Sequence, residues 1–280
     1  MSTQNPDRYA VIGNPISQTK SPLIHMAFAA ESEQNLIYTA LEGPLGQFAA
    51  TVDQFRAEGG KGLNVTVPFK LDACAYATDL SDEARAAGAA NALKFEGDRV
   101  YAQNFDGVGL VRDITHNLGQ PLAGKRVLLL GAGGAARGAI LPILRQGPTC
   151  LFVANRTVDK AQGLVQAFRA NGAGDTLQGG GYEALAGLRF DVVINATSAS
   201  LSAALPPLPA SAFEADGLAY DMVYGKGLTP FLQLAQQAGV RQLADGAGML
   251  VEQAAEAFAW WRGVRPETRA MIERISVPLV

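Results

Sequence analysis

RVLLLGAGGAARGA, residues 126–139, decides the fold. Val127–Leu130 is an uninterrupted apolar run, the signature of a strand covered on both faces in a parallel sheet. Directly after it, Gly131, Ala132, Gly133, Gly134, Ala135 and Ala136 carry the pattern G-x-G-x-x-A and open an apolar helix. In that setting the pattern has a mechanism. Gly131 permits the tight turn, Gly133 lets the backbone approach a pyrophosphate, and the small Ala136 allows close packing of helix on strand. The helix N-terminus then offers N–H donors and a partial positive charge to the phosphates. A glycine turn needed only for packing would look similar, but a strand before it and a helix after it point to a dinucleotide. The next strand runs into Asn155, Arg156 and Thr157, with Lys160 shortly after. Folds that bind NAD usually place an acidic residue there for the ribose 2′-hydroxyl, whereas an Arg fits a 2′-phosphate. Cations at a helix start are unfavourable unless an anion joins them. The expected cofactor is therefore NADP.

Outward from this stretch, strand, turn and helix recur, which argues for an α/β chain with a parallel sheet. Strands are expected at 9–13, 62–69, 150–156, 190–197, 217–224 and 240–245, and helices at 134–146, 157–170, 230–238 and 249–263. Thr229 reads as a cap with Pro230 at the first helical position, and Ser21-Pro22 reads the same way at the start of LIHMAFAA. The Gly-rich stretch 171–181 reads as loop or weak edge. A joint between two domains is expected near 104–123, and the last long helix, with no strand after it, is expected to pack back on the first half.

The chain has 280 residues, 48% apolar and 18% charged, with a formal net charge of -3. Against about 25% charged residues in an average soluble domain, this excludes a disordered chain and gives no electrostatic footing for nucleic acid. Its length fits about two domains. Cys74 and Cys150 lie far apart and outside any CxxC pair, so a reduced, cytoplasmic protein is expected. With only His25 and His116 to offer imidazole, no metal site is expected. Neither a secretory signal nor a membrane span is expected, since the most apolar stretch, 127–144, is broken by four glycines, Arg137 and Pro142.

The first half carries a polar stripe. If LNVTVPFK (63–70) alternates as a strand, Val65, Val67 and Phe69 face the core while Asn64, Thr66 and Lys70 face the other way. Pro68 cannot donate to a ladder, so that end is expected at an edge or beyond the pairing. Ser17, Thr19 and Ser21 add hydroxyls where a helix begins, as caps or as anion ligands. A solvated face would read the same way. Beside a dinucleotide fold, the two clusters suit a small polyhydroxy or carboxylate substrate. Hydride transfer from a secondary alcohol needs a group to take the hydroxyl proton, and Lys70, oriented by a carboxylate, suits that task.

The chain resembles the shikimate dehydrogenase family over nearly its whole length. IGNPISQTKSP, GGKGLNVTVPFK, GAANAL, NFDGVG, LLLGAGGAARG, ANRT, INATS, YDMVY and DGAGMLVEQAAEAF all fall in the family's order. The resemblance implies an enzyme of aromatic amino-acid biosynthesis that reduces 3-dehydroshikimate to shikimate with NADPH. It implies two domains: a substrate-binding α/β domain at 1–105 plus 247–280, and a Rossmann-type NADP domain at 106–246. It makes Lys70 and Asp106 a catalytic dyad, and assigns Thr19, Ser21, Thr66, Asn91, Asp106, Tyr224 and Gln253 to the substrate. It assigns Gly131, Ala132, Gly133, Gly134, Ala135, Asn155, Arg156, Thr157, Lys160, Met222 and Gly246 to the cofactor. Monomer and homodimer both suit such a chain. Four positions depart from the family's pattern: Thr19 for Ser, Gln103 for an acidic residue, Phe105 for Thr, and Glu252 for a small apolar residue. Phe105 sets a large ring next to Asp106, facing either the core or the pocket. The departures keep open a divergent paralogue with reduced shikimate activity, or a quinate/shikimate dehydrogenase; a sensor of shikimate-like acids has no need of a Lys–Asp pair.

Overall fold

The computed structural model describes residues 5–170, 172–197 and 205–279. The chain forms two compact units, Met1–Gly109 with Val251–Met271, and Leu110–Leu250 with Ile272–Val280. The joints fall a few residues from the expected ones. The last residues also differ: 272–280 belong to the second unit, where Leu279 packs against the apolar core.

In the first unit the order is β1 (Asp7–Gly13), α1 (Ser21–Glu31), β2 (Leu36–Glu42), α2 (Phe48–Ala57), β3 (Gly60–Val65) and α3 (Lys70–Tyr76). There follow β4 (Asp79–Leu80), α4 (Asp82–Ala87), β5 (Ala92–Glu96), β6 (Arg99–Gln103) and α5 (Asp106–Arg112). The sheet order is β2-β1-β3-β5-β6-β4. It is mixed, because β5 runs antiparallel to both β3 and β6. Alternation along β3 ends at Val65. The Phe69 N–H turns back to the Thr66 carbonyl at 3.0 Å, and Pro68 has no donor to extend a ladder. Val67 is therefore 71% exposed rather than core, while Phe69 is buried by the turn. Ser21 opens α1 without capping it; its N–H donates to the Thr19 hydroxyl oxygen at 3.2 Å.

The second unit holds β7 (Arg126–Leu130), α6 (Gly134–Leu144), β8 (Cys150–Ala154), α7 (Val158–Ala170) and β9 (Leu177–Gly180). After these come β10 (Phe190–Asn195), β11 (Phe213–Asp221), α8 (Pro230–Gln237) and β12 (Gln242–Asp245), and the chain ends with α9 (Ala247–Arg262) and α10 (Arg269–Ile275), each divided between the two units. Every pairing in this sheet is parallel, in the order β12-β11-β10-β7-β8-β9. That is the doubly wound dinucleotide order, with its topological switch point between β7 and β10. Val127 to Leu130 are all fully buried, as strands covered on both faces must be. The Thr229 side chain caps α8 by accepting from the Leu232 N–H. Among the described residues no helix is long and apolar enough to cross a membrane.

From Val251 onward α9 belongs to the first unit. The Trp261 indole stacks on Tyr9, ring centroids 4.8 Å apart, and donates to the Leu93 carbonyl at 3.0 Å. Arg262 pairs with Asp7 at 2.5 Å. His25 lies in the same aromatic cluster, parallel to the Tyr38 ring at 4.2 Å. Burial pushes its pKa down to about 3, against a smaller opposing effect of Asn64. The unfolded chain then gains a proton near pH 6.5 that the folded chain refuses, so stability is lost as pH falls from about 6.5 towards 3. Between pH 7 and 5 this group alone removes about 2 kcal/mol, at 1.36 kcal/mol per unit. Urea unfolding of the parent and of His25→Gln at both pH values checks it: the parent loses that much more, and equal losses refute the assignment.

Candidate active site

Lys70 is the first residue of α3, placed by the Thr66–Phe69 turn. Its Nζ donates to Asp106 Oδ2 at 2.5 Å. The side chains are 33% and 16% exposed, so the pair is accessible yet partly withdrawn from water. An ammonium at a helix N-terminus opposes the helix dipole, and the carboxylate beside it offsets that penalty.

Asp106 is held from three directions. Its N–H donates to Asn104 Oδ1 at 3.1 Å, which fixes the start of α5. Its Oδ1 accepts from Asn91 Nδ2 at 2.9 Å, and Oδ2 accepts from Lys70. Asn91 is 2% exposed and uses both ends of its amide. Oδ1 accepts from the Phe105 N–H at 2.8 Å, and Nδ2 also donates to Gln253 Oε1 at 3.2 Å. Behind it, Tyr38 donates to Asn64 Oδ1 at 2.7 Å, and Asn64 donates to the Asn91 carbonyl at 3.3 Å. Burial pushes the Tyr38 phenol well above its ordinary pKa, so it stays a donor. Thr19 and Ser21 share a hydroxyl–hydroxyl bond of 3.2 Å, and the Thr66 N–H is anchored to the Ile12 carbonyl at 2.9 Å.

The first unit thus gathers Lys70, Asp106, Asn91 and Gln253 into one hydrogen-bonded constellation, with Thr19 bonded to Ser21 and Thr66 four residues before Lys70. Asn104 and Tyr38 escape a reading of the sequence. The Asn–Phe–Asp run at 104–106 and the alternation of β2 were their only signals. Tyr224 lies in the second unit, one residue before a turn in which the Gly225 N–H donates to Asp245. Burial raises its pKa, and Asp245 adds to the effect.

Phe105 faces the core. It is 9% exposed and packs edge-on against Trp260, centroids 5.8 Å apart. Phe105→Thr is therefore expected to cost about 2–4 kcal/mol of stability by leaving a cavity, with turnover close to the parent's. Thermal unfolding and steady-state rates on one preparation check this, and a several-fold faster enzyme would place the ring in the pocket.

In the second unit, Gly131 follows β7 with φ +105, which favours glycine. A Cβ on it would sit 3.2 Å from Thr197 and 3.3 Å from the Ala196 carbonyl, so the loops after β7 and β10 meet here. Thr197 is fixed by Asn195, whose Oδ1 accepts from its N–H and hydroxyl. Gly133 is the N-cap of α6 and brings no side-chain cap, and a Cβ built at Gly133 or Gly134 would find open space within 4 Å. The first-turn amides of α6 are thus open to an outside acceptor, with no acidic side chain to repel an anion. After β8, Asn155 donates to the Thr157 carbonyl at 2.8 Å and shapes the turn that exposes Arg156 and Lys160 at the start of α7. Arg156 borders a cavity of about 790 Å³ shared with Tyr182, Glu183, Pro207, Pro209 and Ser211. At the far side of the sheet edge, Gly246 meets Met222 so closely that a Cβ would lie 2.3 Å from the Met222 carbonyl oxygen. These groups fit a phosphorylated dinucleotide: bare amides for the pyrophosphate and a guanidinium for a 2′-phosphate.

Comparison with known proteins bears on the same residues. The profile of the shikimate dehydrogenase substrate binding domain matches residues 11–93. That of shikimate/quinate 5-dehydrogenase matches 113–204, and that of the shikimate 5′-dehydrogenase C-terminal domain matches 246–275. A shikimate dehydrogenase (NADP(+)) of Nitrosospira multiformis is 56% identical over 95% of this chain and 96% of its own. The chain belongs to the shikimate dehydrogenase family. Among solved structures similar to this family member, an Ael1 enzyme from Pseudomonas putida is 59% identical, with a TM-score of 0.94 over 98% of this chain and all of the other. A shikimate 5-dehydrogenase from Thermus thermophilus, in complex with NADP(H) and shikimate, is 30% identical with a TM-score of 0.84, covering 95% and 97% of the two chains.

Proposed function

We propose that this family member catalyses the reversible, NADP-dependent reduction of 3-dehydroshikimate to shikimate, as a cytoplasmic enzyme of aromatic amino-acid biosynthesis. One observation carries the reading: Lys70 and Asp106 touch at 2.5 Å, with Asn91 and Gln253 in the same network. A protein that only sensed such acids would have no use for a paired ammonium and carboxylate.

NADPH, when bound, supplies the hydride that reduces the substrate carbonyl. Gly131 to Ala135 and the start of α6 bind its pyrophosphate, Arg156 and Lys160 its 2′-phosphate, and Asn155, Thr157, Met222 and Gly246 line the remainder. Lys70 handles the proton at the substrate oxygen, giving it up during reduction and accepting it during oxidation. An ammonium has three donors, of which Asp106 takes one, so the carboxylate orients Nζ and leaves donors for substrate. Asn91 and Asn104 keep Asp106 in place, so little reorganisation is needed at the moment of transfer. Thr19, Ser21, Thr66 and Gln253 supply hydroxyl and amide groups for the carboxylate and hydroxyls of the substrate, and Tyr224 is assigned to the same ligand.

Steady-state oxidation of shikimate and quinate, each with NADP and NAD, tests the reading. Shikimate with NADP is expected to give the highest kcat/KM. A preference for quinate or for NAD would move the chain to the quinate/shikimate branch, and no turnover with any pair would refute it.

A further inference from the structure

Glu252, near the middle of α9, is 1% exposed. A charge so placed requires partners, and the segment after α9 provides them. Arg265 Nη2 donates to Glu252 Oε2 at 2.6 Å, and the Thr268 hydroxyl donates to Oε1 at 2.7 Å. The other arm of the guanidinium donates to Glu256 Oε1 at 2.5 Å. Glu252 and Glu256, one turn apart, share a face of α9. From Glu252 to the end of the helix is about 15 Å at 1.5 Å per residue. Arg265 and Thr268 reach Glu252 only because the chain reverses at Gly263, φ +71, and runs back along the helix as a strap.

The residue after Glu252 is Gln253, whose Oε1 accepts from the Asn91 amide that also holds Asp106. We propose that the strap is a positioning device for substrate recognition. By gripping Glu252 it fixes the rotation of α9, and so keeps Gln253 against Asn91 at the substrate. The inference rests on the assignment of Gln253 to the shikimate site. Apolar side chains of similar volume would hold the two segments together as strongly, since buried ion pairs add little net stability over well-packed hydrophobes. What a forked guanidinium on two carboxylates one turn apart adds is directional: it defines one rotation of the helix.

The test is the double variant Glu252→Ala/Arg265→Met, which leaves no unpaired buried charge at 252. It is expected to fold cooperatively, to raise KM for shikimate about tenfold, and to change kcat by less than about threefold. In a Gln253→Ala background the same double change should raise KM no further, because the residue it acts through is gone. Parent-like KM in the folded double variant overturns the proposal, as does an undiminished increase in the Gln253→Ala background, which would mark a merely structural strap. If the double variant does not fold, Thr268→Val carries the test. It spares the ion pair and removes one bond to Glu252, with an expected two- to threefold rise in KM; an unmoved KM again overturns the strap. A parent that neither binds nor oxidises shikimate overturns the assignment of function itself, whereas a competent parent with indifferent variants overturns the strap alone.

Discussion

Lys70→Ala is expected to lower kcat for shikimate oxidation by roughly 10²–10⁴, the range spanned by a positioned general acid–base, while shikimate still binds. The two effects separate because different atoms produce them. In the proposed mechanism proton transfer uses Nζ, held 2.5 Å from Asp106. In the same proposed mechanism binding also draws on Thr19, Ser21, Thr66, Asn91 and Gln253, none of which needs Lys70 to keep its place. Asn91 retains its bonds to the Phe105 N–H and to Gln253, and Asp106 its bond to Asn104. Rates at saturating shikimate, together with an equilibrium titration of shikimate, check both halves. Turnover equal to the parent's would remove the dyad from the mechanism.

Arg156→Ala is expected to weaken NADP by about ten- to a hundredfold, which is what losing charge-assisted hydrogen bonds of about 1.5–3 kcal/mol amounts to. NAD should change by less than about twofold. The guanidinium is exposed between β8 and α7 and borders the cavity shared with Tyr182 and Ser211, so its removal leaves the sheet and the amides of α6 untouched. Only a ligand carrying the 2′-phosphate should register the loss. Dissociation constants for both cofactors decide the matter, and equal weakening of the two would refute the role.

How far residues could be read in advance followed from how local their physics is. β7 and the turn at Gly131 were legible because an apolar run, a positive-φ glycine and a helix start are neighbours in sequence, and the geometry they impose is set within a few bonds. The same holds for α8, with Thr229, Pro230 and Gly239 marking its ends. The first unit was harder. β5 and β6 are five residues each, partly polar, and settle as strands only because β3 lies ready to pair with β5. Val67 shows the limit of period-two reasoning: the pattern continued past Val65, but hydrogen bonding turned the chain and reversed which side chain met water.

By itself, the sequence determined the doubly wound unit, the cation Arg156 at the place where a 2′-phosphate is expected, and the list of polar groups from which a site could be built, since each depends on residue type within one element or its adjoining turn. Only the tertiary structure decided that Asn91 is the hub joining Asp106 to Gln253, which lies 162 positions beyond Asn91 in the chain. It also decided that the Phe105 ring goes to Trp260 rather than to a ligand, and that Glu252 is gripped by a returning strap. Those outcomes depend on which distant surfaces bury one another and which buried polar atoms then find partners. No periodicity along the chain records that choice.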